Sequence, residues 1–223
     1  MSTIKAPWIR KQRRTLTIKV SDTLKDAIRT GRLKPNEKLV ESQLTFELGI
    51  SRTPIRESLN RLEVEGYVKR LPSGGYAVVD LNLQRVRELC EVRQALEGYA
   101  ARLACKRATE KQIKTLEQIQ KKMNEAHKKR DIDSMQKLNG KFHTALCYAS
   151  GNEQITARVQ VLRGYFFSRK VLQFLSVNDW QESIAEHQQL INAIKKQECD
   201  SISKVMHNHI QRRIDFYAEH MST

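Results

Sequence analysis

The chain has 223 residues and a formal net charge of +15 at pH 7, from 40 Lys and Arg against 25 Asp and Glu. Such a length can bury one or two hydrophobic cores without a metal or a disulfide. The positive charge favours a polyanionic partner such as nucleic acid, although a lysine-rich solvated surface has the same composition. No segment approaches the ~20 consecutive apolar residues of a membrane span, so we expect a cytoplasmic protein without membrane contact.

The four cysteines are widely separated and contain no C-x-x-C pair. This spacing argues against a zinc knuckle and against a thioredoxin-like redox centre. Reduced cytosolic thiols on helices are the simplest interpretation.

The N-terminal third of the chain contains three candidate helices. Residues 1–14 lack periodicity and are rich in basic side chains, so we expect a flexible basic arm. Apolar residues recur at helical spacing over residues 16–28, and Gly31 ends that helix. A short second helix ends at Gly49, and Ser51 is a suitable N-cap for the third.

A hairpin signal follows the third helix. The strand-like segments 67–71 and 76–79 are joined by Pro72-Ser73-Gly74-Gly75. Helix, helix, short turn, helix and hairpin is the element order of a winged helix-turn-helix. We therefore predict a DNA-binding domain of this type over residues 15–79.

The pattern changes after a predicted linker at residues 80–82. Glycine becomes sparse, proline is absent, and amphipathic helical patterns continue almost to the end of the chain. We predict a mainly α protein in which a six-helix antiparallel bundle, residues 83–220, follows the winged helix-turn-helix. The predicted helices lie near 83–106, 110–129, 133–149, 153–175, 180–197 and 200–220.

The candidate DNA contacts lie at the start of the third helix and on the wing. In a helix-turn-helix, side chains near the N-terminus of the second helix of the motif reach base edges. Arginines four residues apart project from one face there and can pair with guanine, whereas hydroxyls suit phosphates. A solvated arginine pair is the plain alternative. The predicted DNA contacts are Ser51, Arg52, Thr53, Arg56, Lys69, Arg70 and Gly74.

One recognition helix touches too few base pairs for specific binding at cellular salt. The predicted partner is therefore a pseudo-palindromic double-stranded operator, bound by a homodimer.

Three histidines lie on or beside the apolar stripes of three different predicted helices: His143, His187 and His209. Asn139 precedes His143 by four residues and therefore shares its face. A single histidine on an apolar face is usually a hydrogen-bonded core residue. Imidazoles on several helices of one bundle can also build a metal site. Periodicity alone leaves both interpretations open.

The N-terminal region resembles a known family. The segment Gly31-Arg32-Leu33-Lys34-Pro35 and the stretch S-R-T-P-I-R-E at residues 51–57 look like the N-terminal signature of the GntR family, and the likeness covers about residues 16–79. The resemblance implies DNA contacts at Ser51, Arg52, Thr53, Arg56 and the wing tip around Gly74. Asn36 replaces the family's usual glycine and can adopt the same left-handed conformation. Ser42 stands where some members carry an arginine.

The C-terminal region resembles the FCD effector domain of FadR-type GntR regulators, and its six helices are similar to the VanR-type branch. The motifs concerned are Asn139-x-x-Phe142-His143, Glu186-His187-x-x-Leu190, Met206-x-x-His209 and Val92-Arg93-x-x-Leu96-Glu97.

The resemblance implies a divalent metal such as zinc or nickel, with ligands at Asn139, His143, His187 and His209. Aspartate is common at the first of these positions, and an amide oxygen is a weaker ligand. A small carboxylate effector would bind beside the metal with help from Arg93, which could instead form a salt bridge with Glu97.

Two other functions have to be considered. A repressor whose pocket binds an organic effector without a metal is favoured by the neutral Asn139. A metal-dependent hydrolase would also use three histidines, but it needs a placed general base. No H-E-x-x-H signature is present, and Glu186 points about 100° away from His187 on its helix.

Overall fold

The computed structural model describes residues 11–80, 82–164 and 177–220, which form two compact units divided after residue 80. The first unit contains three helices and a small sheet. The helices are α1 (Lys11–Arg29), α2 (Glu41–Leu48) and α3 (Arg52–Val64). The strands are β1 (Lys38–Leu39), β2 (Val68–Arg70) and β3 (Tyr76–Val78).

The sheet has the antiparallel order β1-β3-β2, with Tyr76 of β3 paired with Leu39 on one side and with Arg70 on the other. The apolar faces of the three helices and the wing share one buried core. Gly49, at φ +63°, ends α2 and gives the sharp turn into α3. Asn36 adopts φ +63°, the left-handed conformation expected of it.

The second unit is entirely helical among the residues that are described. Its helices are α4 (Leu83–Arg107), α5 (Glu110–Lys128), α6 (Ile132–Ala149), α7 (Glu153–Gly164), α8 (Val177–Lys196) and α9 (Ile202–His220). The predicted fold class, a winged helix-turn-helix followed by a helical bundle, is confirmed. The last part of the helix predicted over 153–175 lies outside the described residues. No helix in the described ranges combines the length and apolarity needed to cross a membrane.

Three local expectations differ from the structure. Helix α1 begins at Lys11, so residues 11–14 belong to a helix rather than to the predicted arm, whereas residues 1–10 lie outside the described residues. Lys, Gln and Arg are good helix formers and let α1 extend beyond its apolar segment. Strand β1 was not predicted, because its two residues pair only with the distant β3. In the predicted linker 80–82, Asn82 is the N-cap of α4.

The cysteines also differ from the expectation of four reduced thiols. Cys105 and Cys199 form a disulfide across 94 positions of sequence, whereas Cys90 and Cys147 are free and buried. The packing of α9 against α4 brings the first two together, and sequence spacing carries no signal of it.

Candidate nucleic-acid interface and metal centre

The N-terminal part of α3 has one buried face and one exposed face. Ile55, Leu59 and Leu62 are fully buried in the core of the first unit. The predicted DNA contacts at the start of α3 are all exposed: Ser51, Arg52, Thr53 and Arg56. The hydroxyl of Ser51 caps no backbone N–H of the helix, so it remains available for a phosphate.

Arg56 is held in place by Glu41 at the start of α2. Its Nε lies 3.0 Å from both carboxylate oxygens, and its Nη2 lies 2.9 Å from Oε2. The hydrogen bonds and charge of Glu41 raise the pKa of Arg56. This fork-like pair fixes the arginine on the exposed face while leaving its remaining N–H groups available. Sequence reasoning missed Glu41 as its partner.

The wing presents its predicted contacts differently. Lys69 is exposed on β2, and Gly74, at φ +87°, has open space around its Cα. Arg70 donates to Asn60 Oδ1 (2.9 Å) and to the Tyr76 hydroxyl (2.7 Å), and its guanidinium lies over the Tyr76 ring. Arg70 therefore joins the wing to α3 in addition to being exposed.

The three predicted histidines converge inside the second unit. His143 on α6, His187 on α8 and His209 on α9 are all buried. The Nε2 of His143 lies 3.0 Å from Nε2 of His209 and 3.3 Å from Nε2 of His187, and one nitrogen from each ring lies within 4.8 Å of the others. Two nitrogens bound tetrahedrally to zinc at about 2.05 Å would be about 3.3 Å apart. The spacing fits a three-imidazole metal site.

Carboxylates contact the far nitrogens of two of these rings. Nδ1 of His143 lies 2.6 Å from Glu97 Oε2, and Nδ1 of His209 lies 2.6 Å from Glu186 Oε2. Glu186 is also ion-paired with Arg212. Carboxylates in this position fix the tautomer and orientation of a ligating imidazole.

The pKa values keep these imidazoles neutral. Burial, and then the charge of Arg163, lowers the pKa of His143 to about 4. Burial lowers the pKa values of His187 and His209 well below the ordinary value. A neutral imidazole carries one N–H, and in His143 and His209 the adjacent carboxylate takes it at Nδ1. The two Nε2 lone pairs therefore face each other, and a cation between them would relieve the repulsion.

Glu97 is the centre of a buried charge cluster. Burial alone would raise its pKa, but Arg93 and Arg163 hold the pKa of Glu97 well below its usual range. Arg93 Nε donates to Oε1 at 2.7 Å, and Arg163 Nη1 lies 3.3 Å from Oε2. The predicted effector residue Arg93 is thus joined to Glu97, which was the alternative considered for it. The two arginines and one carboxylate leave this cluster one unit positive.

Among the described residues, two of the candidate ligand residues carry a buried polar atom that has no hydrogen-bond partner. Oδ1 of Asn139, one turn before His143 on α6, is buried and unpaired, and so is Nδ1 of His187. The His187 ring stacks on Phe142, with centroids 3.9 Å apart and planes 9° apart. An amide oxygen left unpaired in the interior is costly unless a cation or a donor satisfies it.

Sequence reasoning missed Arg163, named Glu97 only as a partner of Arg93, and misread Glu186. Arg163 and Glu97 each interrupt the buried stripe of their own helix, and a charged side chain on such a stripe is the signal that could have found them. Glu186 was examined only as a general base for a hydrolase. It contacts the outer nitrogen of His209, and so lies behind a candidate ligand instead of facing the three Nε2 atoms.

Both parts of the chain match known protein families. Residues 16–78 match the profile of the bacterial regulatory proteins of the gntR family, and residues 88–212 match that of the FCD domain. The chain is 30% identical to the Nta operon transcriptional regulator of Aminobacter aminovorans, over 82% of this chain and 85% of that protein. It is 29% identical to the HTH-type transcriptional regulator McbR of Escherichia coli strain K12, over 61% and 62% of the two chains. The solved structure of E. coli McbR/YncC is similar, with a TM-score of 0.75, 24% identity, and coverage of 92% of this chain and 98% of that one.

Proposed function

The chain belongs to the GntR family of bacterial regulatory proteins and carries an FCD domain, and we propose that it is a cytoplasmic repressor controlled by a small carboxylate that binds at a divalent metal. It is a DNA-binding transcription regulator and not an enzyme, as its family and the names of its relatives indicate. The hydrolase alternative is therefore dropped. The placement in the VanR-type branch remains part of the proposal.

The proposed DNA partner is a pseudo-palindromic operator bound by two copies of the chain. The exposed first turns of α3 support base contacts from Arg52 and Arg56, and the exposed wing supports backbone contacts from Lys69. Arg70 has a further role, since it also connects β2 to α3.

A DNA-binding experiment tests the α3 assignment. Arg52→Ala should cost about 1–3 kcal/mol in operator affinity and relax the preference at one base position per half-site, because a base-reading arginine is lost. Lys69→Ala is the matched control on the wing and should weaken binding to all sequences alike, with a smaller salt slope. Fluorescence anisotropy against an operator and a scrambled duplex measures both. Unchanged operator affinity in Arg52→Ala would contradict the assignment.

An exposed apolar face on the second unit supports the homodimer. Val92 and Tyr99 are seven residues apart on α4 and are therefore on the same face, with 48% and 53% of their surfaces exposed. Val161, on the adjacent α7, is 42% exposed. Exposed apolar side chains on neighbouring helices are typical of a subunit interface.

Charge introduced into this face should separate the subunits. Tyr99→Glu should shift the sedimentation of the full chain from dimer to monomer, because a dimer would bury two carboxylates without partners. Val64→Glu places the same charge at an exposed apolar position of α3 and should leave the dimer intact. A wild-type monomer that binds a single half-site tightly would rule out the dimer.

The metal proposal depends on the pair of Nε2 atoms in His143 and His209, 3.0 Å apart, each with its Nδ1 against a carboxylate. Three imidazoles suit zinc, nickel or a similar borderline ion. The buried, unpaired Oδ1 of Asn139 supports a fourth ligand at that position. When bound, the ion would supply an open coordination position and positive charge for an anionic effector.

The buried positive charge of this centre favours an anionic effector. Arg93 and Arg163 share one carboxylate, Glu97, and a divalent ion at the three neutral imidazoles would add two further positive charges. Uncompensated charge in a low-dielectric interior is unfavourable, so a carboxylate is the expected occupant. Arg93 remains the proposed effector residue, and Arg163 is placed to assist it, because its Nε is buried without a hydrogen-bond partner among the described residues.

Metal binding can be separated from the alternative of a metal-free organic effector by zinc titration of protein purified without an affinity tag or chelator. His187→Ala should abolish binding, because one of three imidazole ligands is lost. Asn139→Asp should tighten it by about tenfold, because a carboxylate replaces a neutral amide.

His207→Ala is the matched control, since His207 is exposed on α9 outside the cluster, and it should bind zinc like the wild type. Zinc binding that is absent in the wild type, or equal in His187→Ala, would favour the metal-free regulator.

A further inference from the structure

The disulfide between Cys105 and Cys199 connects two helices of the candidate metal centre. Cys105 lies in the last turns of α4, and Cys199 lies in the turn between α8 and α9, with Cα atoms 5.5 Å apart. Helix α4 carries Glu97, and α9 carries His209. The disulfide therefore joins the end of one of these helices to the start of the other.

Local backbone geometry brings Cys199 to α4. Gln197 ends α8 in a left-handed conformation, φ +56°, and the N–H of Glu198 then donates to the carbonyl of Ala193 at 2.9 Å. This closes the helix end and reverses the chain. After the turn, the Ser203 hydroxyl donates to the carbonyl of Gly98 at 3.2 Å. These two hydrogen bonds keep Cys199 near α4 without the sulfur–sulfur bond, and the disulfide adds a covalent restraint to them.

The reduced form can occupy the same arrangement. The Sγ of Cys105 lies 3.7 Å from the carbonyl oxygen of Ala193, so a free thiol there would have an acceptor. Cys105 is buried, whereas Cys199 is half-buried. The pair therefore combines one more exposed cysteine with one buried cysteine beside it.

The other two cysteines are poor competitors for oxidation. Cys90 and Cys147 are buried on α4 and α6, and burial raises the pKa of both thiols, that of Cys147 to about 12. A thiolate is the reacting species in thiol–disulfide exchange, so both should remain reduced.

We propose that Cys105 and Cys199 are a reversible redox modification site whose oxidation by a small-molecule disulfide fixes α4 to the start of α9. The Cys199 thiolate attacks the small disulfide, a mixed disulfide forms, and one small thiolate leaves. Cys105 then loses its proton, attacks Cys199 Sγ and displaces the second small thiolate. Two protein thiols and one disulfide thus give one protein disulfide and two small thiols.

Oxidation should also organise the metal centre, a consequence that rests on the metal binding proposed above. The disulfide restricts the relative motion of the helices that hold Glu97 and His209. A site held in its binding geometry loses less conformational entropy when a ligand binds. The oxidised protein should therefore bind zinc more tightly than the reduced protein.

The experiment uses the full chain equilibrated in glutathione buffers of increasing oxidised fraction. Peptide mapping after thiol alkylation should show the Cys105–Cys199 disulfide forming while Cys90 and Cys147 stay free. Hydrogen exchange over residues 197–203 should slow on oxidation, and the zinc Kd should fall by at least about threefold. Cys199→Ser should lose all three responses, whereas Cys90→Ser should keep them.

Other outcomes would contradict the redox site, its coupling to zinc binding and the metal proposal separately. Protein that stays folded with both thiols reduced in oxidised glutathione, or that stops at a mixed disulfide, would overturn the redox site. Equal zinc affinity in the two redox states would overturn the coupling. Zinc binding in neither state would contradict the metal proposal alone, because mapping and hydrogen exchange decide the redox site without zinc.

Discussion

Two imidazole nitrogens facing each other in the interior of the second unit are the constraint on which its site depends. The Nε2 atoms of His143 and His209 are 3.0 Å apart, and the carboxylates of Glu97 and Glu186 hold the single proton of each ring on the opposite nitrogen. Protonation could relieve the contact between the lone pairs, but burial lowers both pKa values. A metal cation would satisfy both atoms at neutral pH, and this geometry is the physical basis of the metal-dependent regulation that we propose.

Helix α4 supplies much of what surrounds that contact. Its buried stripe carries Arg93 and Glu97, and Cys105 lies two turns further on. Glu97 stays ionised in the interior because two arginines flank it, and only in that state does it direct the Nε2 lone pair of His143 inward. In the proposed function, the same positive surplus would attract the anionic effector. The contact with His143, part of the buried charge and one cysteine of the disulfide therefore lie on a single helix.

The sequence predicted the candidate ligands better than the residues that contact them. Helical periodicity decides which side chains face inward, so His143, His187 and His209 could be assigned to the interior from their own helices. The contacts of Arg163 with Glu97, and of Glu186 with His209, depend on which helices are neighbours, and periodicity within one helix does not contain that information. The bond between Cys105 and Cys199 was missed for the same reason. In the first unit, the exposed face of α3 was predictable, whereas the pairing of Arg56 with Glu41 was not.

The tautomers of the clustered histidines give the most direct measurement of the central claim. Long-range ¹H–¹⁵N NMR of histidine side chains, recorded on metal-free protein at neutral pH and again with zinc, reports which ring nitrogen carries the proton. The account predicts Nδ1–H for His143 and His209 in both samples, with zinc shifting the Nε2 resonances of the cluster and leaving the exposed His207 unchanged. Protons on Nε2 of His143 and His209, together with spectra that zinc does not alter, would contradict it.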